Sequence, residues 1–351
     1  MNIMLTCAGR RNYLIGFLKR ALGGDGLIFA TDCNPSAPAL HEADVGCLVP
    51  PVSDPRYIDS LLALCLSHEV QLLIPLNDLE LMKLARERLR FSRLGIKVVV
   101  SPPEVIEIAN DKLETSRFVQ SLDLRAPITH VSLSSAIEDL EAGRLKFPLY
   151  IKPRWGTASV GVESVHDVYE MQLAWELAHH RLPRLTSINP YRARQALLIQ
   201  EALPGTEFGL DVINDLEGHY RAVFVKKKLS MRAGETERAV VEDLPPLQHV
   251  GRRLGEVLSH CGNLDCDVFF DGAHCYVLEL NPRFGGGYPF SDQAGADVMA
   301  ALIAWAQGKE PSSGWSEIRC GITSSKCDRL VDVSNLDRLK QDSSLHMATP
   351  C

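Results

Sequence analysis

The side chains best suited to chemistry lie close to residue 270. Asp267 is an acid among apolar neighbours in the run Cys266–Phe270. Asp271-Gly272-Ala273 follows, and Asp-Gly is a strong hairpin signal. The return run Cys275–Leu280 carries Glu279, with Asn281 two positions further on. Strand residues two apart leave the same face, so a hairpin brings Asp267, Glu279 and Asn281 together. Two carboxylates and an amide oxygen form a hard-oxygen set. It suits Mg²⁺ or Mn²⁺, with phosphate oxygens completing the shell. Burying two acids side by side without a cation is costly. Arg283 and Gly285-Gly286-Gly287 come next, at a place where backbone must approach something closely. The plain alternative is a solvated hairpin whose acids point outwards.

A second group of residues suits phosphate. Phe147–Pro153 is an apolar strand that ends in Lys152, and a lysine alternating into an apolar strand needs a partner such as phosphate. The small-residue loop from Arg154 to Val162 follows. Such a loop can fold over phosphates and offer backbone N–H groups. It is not a Walker A loop, which needs Gly-Lys-Ser/Thr before a helix. A plain hairpin loop is the alternative. Further along, the polar segment Ser230–Arg238 is centred on Gly234 and predicts a mobile loop. Arg232 and Arg238 in it are candidate carboxylate binders.

These residues lie in an order that resembles the ATP-grasp enzymes, in particular the branch of carbamoyl-phosphate synthase large subunits and carboxylate–amine ligases. "LELNPRFGGGYPF" is similar to that family's metal-binding signature, with Asp267, Glu279 and Asn281 as metal ligands. The segment around Lys152 is similar to its "K-P-x-x-G-x-x-S-x-G-V" loop, which implicates Thr157, Ser159 and Gly161 in phosphate binding. The glycine-serine-glycine core is thinned here. Lys112, just after Asn110-Asp111, stands where the family reaches the nucleotide phosphates. Leu197–Glu201 and the residues after it resemble the adenine hinge. Backbone at Gln200, Glu201, Ala202 and Leu203 would read the adenine, and Glu207 would bind the ribose. Lys226 is chosen for the phosphates, although Lys228 shares its face and the two are not separated. The resemblance covers about residues 1 to 308.

What the resemblance implies is an ATP- and Mg²⁺- (or Mn²⁺-) dependent ligase. It would activate a carboxylate as an acyl phosphate and join it to an amine, releasing ADP. Arg283, Lys152 and Arg232 are the expected catalytic residues. Arg232 and Glu235 could hold a zwitterion, which points to an amino acid as one substrate. A carbamoyl-phosphate-forming enzyme, a bicarbonate-dependent carboxylase and a non-catalytic nucleotide-binding regulator are the alternatives.

The elements that position these residues follow from periodicity. Strands at Ile3–Cys7, Leu27–Thr31, Val45–Val49, Leu72–Ile74 and Val98–Val100 alternate with helices at Asn12–Leu22, Pro55–Ser67 and Asp78–Phe91. That alternation predicts a parallel sheet covered on both faces. The first turn, Ala8-Gly9-Arg10-Arg11, is a place for an anion, and its arginines could equally be a solvated helix start. Pro75-Leu76-Asn77-Asp78 follows a strand and leads a helix, which puts its polar groups at a strand's carboxyl end, where open α/β sheets bind ligands, with Asp78 as a plain N-cap the alternative. The fold class is therefore α/β, and the resemblance implies a Rossmann-like domain over 1–102, then an ATP-grasp domain over 103–310 of two α+β subdomains, with a lid at about 125–202. The remainder, 311–351, reads as a strand at Cys320–Ser325 and a polar tail that is disordered from Gln341. A surface loop is expected at Leu182–Arg194. A helix with an apolar stripe is expected over Leu244–His260, and one helix over Ala294–Gln307.

Bulk properties narrow the function classes. A net charge of −7 and the lack of a basic block argue against nonspecific nucleic-acid binding. No apolar run approaches a membrane span, and MNIMLTCAGRRNYL lacks the form of a signal peptide. Ten scattered cysteines without a C-x-x-C pair suit reduced thiols in a cytoplasmic protein. The partners expected are small molecules, with a homodimer common for such folds.

Overall fold

The computed structural model describes residues 1–156, 160–185 and 195–341. Thr157 and Ser159, residues 186–194 and the tail after Gln341 lie outside the described residues.

In chain order the first strands and helices are β1 (Asn2–Thr6), α1 (Tyr13–Leu22), β2 (Ile28–Asp32), α2 (Pro38–Glu42), β3 (Val45–Leu48), α3 (Tyr57–Ser67), β4 (Val70–Pro75), α4 (Asp78–Arg93) and β5 (Lys97–Val98). Next come α5 (Pro103–Asn110), α6 (Lys112–Ser121), β6 (Thr129–His130), α7 (Leu133–Glu141), β7 (Leu149–Pro153), β8 (Glu163–Val165), α8 (Val168–Leu185) and β9 (Leu197–Glu201). The rest are β10 (Thr206–Asn214), β11 (Tyr220–Arg232), β12 (Glu235–Glu242), α9 (Pro245–Leu258), β13 (Gly262–Phe270), β14 (Cys275–Asn281), α10 (Tyr288–Ala294), α11 (Val298–Ala306), β15 (Thr323–Ser325) and β16 (Lys340–Gln341).

Three sheets result. The first is parallel, in the order β16-β3-β2-β1-β4-β5. Its strand order reverses between β1 and β4, and in open α/β sheets ligands bind outside the carboxyl ends at such a switch point. The second is antiparallel, β14-β13-β10-β11-β12-β15, and the third is the four-stranded β6-β9-β7-β8.

Packing explains how the first two sheets are joined. Ile3, Leu5 and Leu18 of the N-terminal domain share one core with Met299, Leu302 and Trp305 of α11. Each such buried aliphatic side chain is worth roughly 1.5–3 kcal/mol. On the second sheet the expected stripe of α9, Leu247, Val250, Leu254 and Leu258, is buried against Leu210, Val212 and Leu264.

Four local expectations are corrected. Asp78 is not an N-cap: Asn77 caps α4, and Glu80 completes the capping box. Residues 230–238 are not a loop: β11 and β12 form a hairpin that turns at Ala233-Gly234, with φ +50° and +78°. The helix expected over 294–307 begins later, as α11 from Val298, because Ala294 ends α10 and the chain turns at Gly295, where φ is +123° and a Cβ would stand 2.7 Å from the Glu317 carbonyl oxygen. Residues 182–185 belong to α8 rather than to a loop. Among the described residues no helix is long and apolar enough to cross a membrane, and no disulfide joins the described cysteines.

Candidate active site

The second sheet carries the chemistry on one face. Along β10, Glu207, Gly209 and Asp211 alternate with Phe208, Leu210 and Val212, which enter the core. Register sets Gly209 opposite Lys226 on β11 and opposite Asp267 on β13, and Asp211 opposite Asp265. It also sets Asp267 opposite Glu279 and Asp265 opposite Asn281 on β14. Four neighbouring strands thus each place charged or polar groups on the same side. Gly209 leaves the space between them open: a Cβ there would lie 3.5 Å from the Cε atoms of both Lys226 and Lys228. A register shift between Asp267 and Val268 skips Leu278 and turns that side chain into the cleft.

Two cavities meet at this face. One, of about 280 Å³, lies under the four-stranded sheet and is lined by Lys112, Lys152, Gln200, Leu203, Glu207 and Phe269, among others. The other, of about 240 Å³, opens at the β1/β4 switch point and is lined by Arg11, Asn77, Asp78, Lys226, Asp265 and Arg283, among others. Asp267 and Glu279 line both, as do Met231 and Gly234 at the tip of the β11–β12 hairpin.

Lysines and acids are interleaved across the junction. Lys228 Nζ is 2.6 Å from Glu207 Oε1 and 2.6 Å from Asp267 Oδ1. Burial alone would lower the Lys228 pKa, but Asp267 and Glu207 outweigh it and hold the ammonium charged. Burial lifts the Asp267 carboxyl to about 7 against the pull of Lys228, with Asp265, Glu207 and Glu279 adding to the rise. Such a crowd of acids favours a further cation. Lys112 Nζ is 3.1 Å from Glu279 Oε1 and donates to the Gly156 carbonyl at 2.6 Å. Its helix is held by Asp111, whose side chain caps α6 and takes Arg154 Nε at 2.7 Å. Lys152 is buried on β7; burial and the Lys112 charge lower its pKa to about 8, with Glu279 opposing.

On the second cavity's wall, Arg283 Nη1 is 3.1 Å from Asp265 Oδ2 and Nη2 is 3.0 Å from Asp78 Oδ2. These acids keep the guanidinium charged despite its burial. Gly285 is required beside them, since a Cβ would fall 2.0 Å from Asp265 Oδ2. Arg11 Nη1 donates to the Phe284 carbonyl. Beneath, Lys226 is buried against Asp211 and lies 3.3 Å from Ser291 Oγ.

Asp267, Glu279, Asn281, Lys112, Lys152, Glu207 and Arg283 are therefore brought to the two cavities. Asn281 lines the second cavity with the two acids, and these three oxygen side chains suit a hard divalent cation in their chemistry. Among the described residues no three His, Cys, Asp or Glu side chains form a metal cluster by themselves. Gln200 and Glu201 line the nucleotide-sized cavity but also serve the sheet: Gln200 Nε2 donates to Thr129 Oγ1 at 2.8 Å, and Glu201 Oε1 accepts from Ile128 N at 2.8 Å. Ala202 is half-buried in the same hinge. Gly161, at φ +74°, lies between Val160 and Val162, both on the cavity wall.

Arg232 is not with them. It is exposed at the end of β11, 3.0 Å from Glu237 and 2.8 Å from Asp328. The ladder of β11 shifts register on both sides of Ser230, so the two-residue period that points Lys226 and Lys228 inward does not carry to residue 232. Arg238 is exposed too. Two residues escaped the sequence reading, Asp265 and Asp211, while Arg11 and Asp78 were singled out there but not as partners of the 283–284 segment. Asp265 was legible, standing two positions before Asp267 in the same strand.

Comparison with known proteins gives two family matches. The family described as "PylC-like, N-terminal domain" matches residues 3–99. The family described as "ATP-grasp in the biosynthetic pathway with Ter operon" matches residues 193–327. The carbamoyl phosphate synthase large chain of Myxococcus xanthus is 23% identical over 224 residues, covering 60% of this chain and 20% of its own. A D-alanine–D-alanine ligase of Streptococcus pyogenes is 29% identical over 246 residues, covering 63% of this chain and 66% of its own. The chain thus spans from a fifth to just under two thirds of the length of these two curated relatives. Among solved structures, biotin carboxylase from Campylobacter jejuni superposes with a TM-score of 0.73 at 15% identity, over 92% of this chain and 74% of that one.

Proposed function

We propose that this chain, which matches a PylC-like N-terminal domain over residues 3–99 and an ATP-grasp family over residues 193–327, is an ATP- and Mg²⁺-dependent ligase that joins a carboxylate to an amine. The observation that carries the reading is the meeting of two cavities at Asp267 and Glu279, with basic residues on each side. One cavity takes the nucleotide. Its hinge, Gln200 to Leu203, reads adenine through backbone groups, and Glu207 accepts from the ribose hydroxyls. Lys112 and Lys152 meet the phosphates. Lys228 joins them in preference to Lys226, because Lys226 is engaged below the face by Asp211 and Ser291. Thr157 and Ser159 remain part of the phosphate loop in this proposal.

Asp267, Glu279 and Asn281 would hold the metal, which would draw charge from the β- and γ-phosphates. The second cavity takes the carboxylate. Its oxygen attacks the γ-phosphorus, the bond to the β-phosphate oxygen breaks, and ADP is released from the acyl phosphate. Arg283 steadies the acyl phosphate and then the tetrahedral intermediate formed when the amine attacks. The C–O bond to phosphate breaks, phosphate leaves, and the amine's spare proton passes to solvent. Small-molecule substrates and a cytoplasmic setting, in keeping with described cysteines that form no disulfide, belong to the same proposal.

A second reading, bicarbonate as the activated acid, is favoured by the likeness to carbamoyl phosphate synthase and to biotin carboxylase. One assay separates the two. ADP release is followed with Mg²⁺ and ATP against single amino acids, pairs of amino acids and bicarbonate, with Glu279→Ala as the blank. ADP that needs a carboxylate–amine pair supports ligation. ADP that needs bicarbonate supports the second reading. AMP in place of ADP overturns the acyl-phosphate account.

A further inference from the structure

The two acids that line both cavities each hold a lysine. Lys228 Nζ stands 2.6 Å from Asp267 and bridges to Glu207 at 2.6 Å; Lys112 Nζ stands 3.1 Å from Glu279. Both ammonium groups are largely shielded, with side-chain exposures of 8% and 13%. These are short contacts between opposite charges in a poorly solvated cleft, where attraction is several-fold stronger than in water. An incoming Mg²⁺ must therefore displace a lysine from each carboxylate, or share the carboxylate with a like charge close by. Phosphate oxygens change this balance, because they offer the lysines other anionic partners and supply ligands to the metal.

We propose that Lys228 and Lys112 act as stand-in cations in the nucleotide-free protein, so that a divalent metal enters the Asp267–Glu279 site only together with nucleotide phosphates. The inference rests on the nucleotide-and-metal reading of this site and adds an order of events to it. Metal and nucleotide are coupled: each raises the affinity of the other by the same factor. The lysines move from carboxylate to phosphate as the metal takes their place. Lys228 links two sites at once. Leaving Asp267, it also leaves Glu207, which frees the acid assigned to the ribose.

The test is Mn²⁺ binding to the full chain, read from loss of the free-ion electron paramagnetic resonance signal, with and without ADP. ADP is expected to tighten Mn²⁺ by at least about tenfold in the unmodified protein. Without nucleotide, Lys228→Met is expected to tighten Mn²⁺ by about tenfold, the direction set by removing a positive charge beside the site. Lys112→Met acts in the same direction. Lys227→Met, on the other face of the same strand, leaves Mn²⁺ binding unchanged and serves as the folding control. Asp267→Asn in the Lys228→Met background abolishes the gain and places the ion at the hairpin. Equal Mn²⁺ affinity with and without bound ADP overturns the coupling. No gain in Lys228→Met overturns the stand-in role. Calorimetry that finds no ADP binding overturns the nucleotide reading instead, and the Lys228→Met arm still decides on the lysine.

Discussion

Arg283, two residues past the end of β14, reaches Asp78 of the N-terminal domain, with Nη2 3.0 Å from Oδ2 across a separation of 205 residues. Asp265 holds the other arm at 3.1 Å. The guanidinium is thus fixed by one acid from each domain. Asp78 is free for this because Asn77, not Asp78, caps α4.

Arg283→Ala should lower kcat by about 100- to 1000-fold, the usual loss on removing an electrostatic donor to a developing oxyanion. Asp78→Asn should lower kcat less, by roughly tenfold to a hundredfold, since it leaves the guanidinium present but held on one side only. Steady-state kinetics should show the KM for ATP little changed in both. A rise confined to that KM would remove Arg283 from the chemical step.

Lys152 gives a pH signature. Its pKa, lowered to about 8 by burial and by Lys112, makes the ammonium lose its proton as pH rises through that value. The free enzyme should therefore lose kcat/KM for ATP above about pH 8. Lys152→Arg, which stays charged, should abolish that limb of the profile.

Much of this site was legible before the fold was known. Asp267, Glu279 and Asn281 follow from a hairpin and a period of two, and the structure sets Asp267 opposite Glu279. The N-terminal parallel sheet followed from alternating strands and helices. Arg232 was expected in a mobile loop over 230–238, but those residues form the end of the β11–β12 hairpin, where Arg232 is exposed and paired with Glu237 and Asp328. Asp78 and Arg11 were not identifiable as partners of the 283–284 segment, since those contacts depend on how two domains pack. The choice between Lys226 and Lys228 needed their partners: one sits on a buried aspartate, the other on two acids at the cavity wall.

The buried Lys226–Asp211 pair predicts a stability effect. Asp211→Asn leaves an uncompensated lysine in the interior and should cost about 3–5 kcal/mol in urea unfolding. The double variant Asp211→Leu with Lys226→Met should recover most of that loss. Equal destabilisation in the single and double variants would show that the neighbouring contacts of Ser291 and Asn263, not the charge, dominate.

His260 adds a stability change on the acid side. It is fully buried, with Nε2 2.9 Å from the Val212 carbonyl oxygen, and burial lowers its pKa from 6.5 to about 4. The unfolded chain takes up a proton near 6.5 that the folded chain refuses until about 4. Stability therefore falls as pH drops between those values, by on the order of 3 kcal/mol for this group. Urea midpoints at pH 7, 5.5 and 4.5 should show that slope, and His260→Gln should flatten it.

The parallel pairing of Lys340 with Cys47 means that β3 gains its outer neighbour from the far end of the chain. During synthesis that strand emerges early and waits, its edge bare, while the nucleotide-binding half is made. A bare, largely apolar edge is a template for unwanted pairing with another copy. Truncated variants that end before residue 340 would keep every residue of both cavities and still leave that edge open, so poor yield from them would reflect an unfinished sheet and not a damaged site.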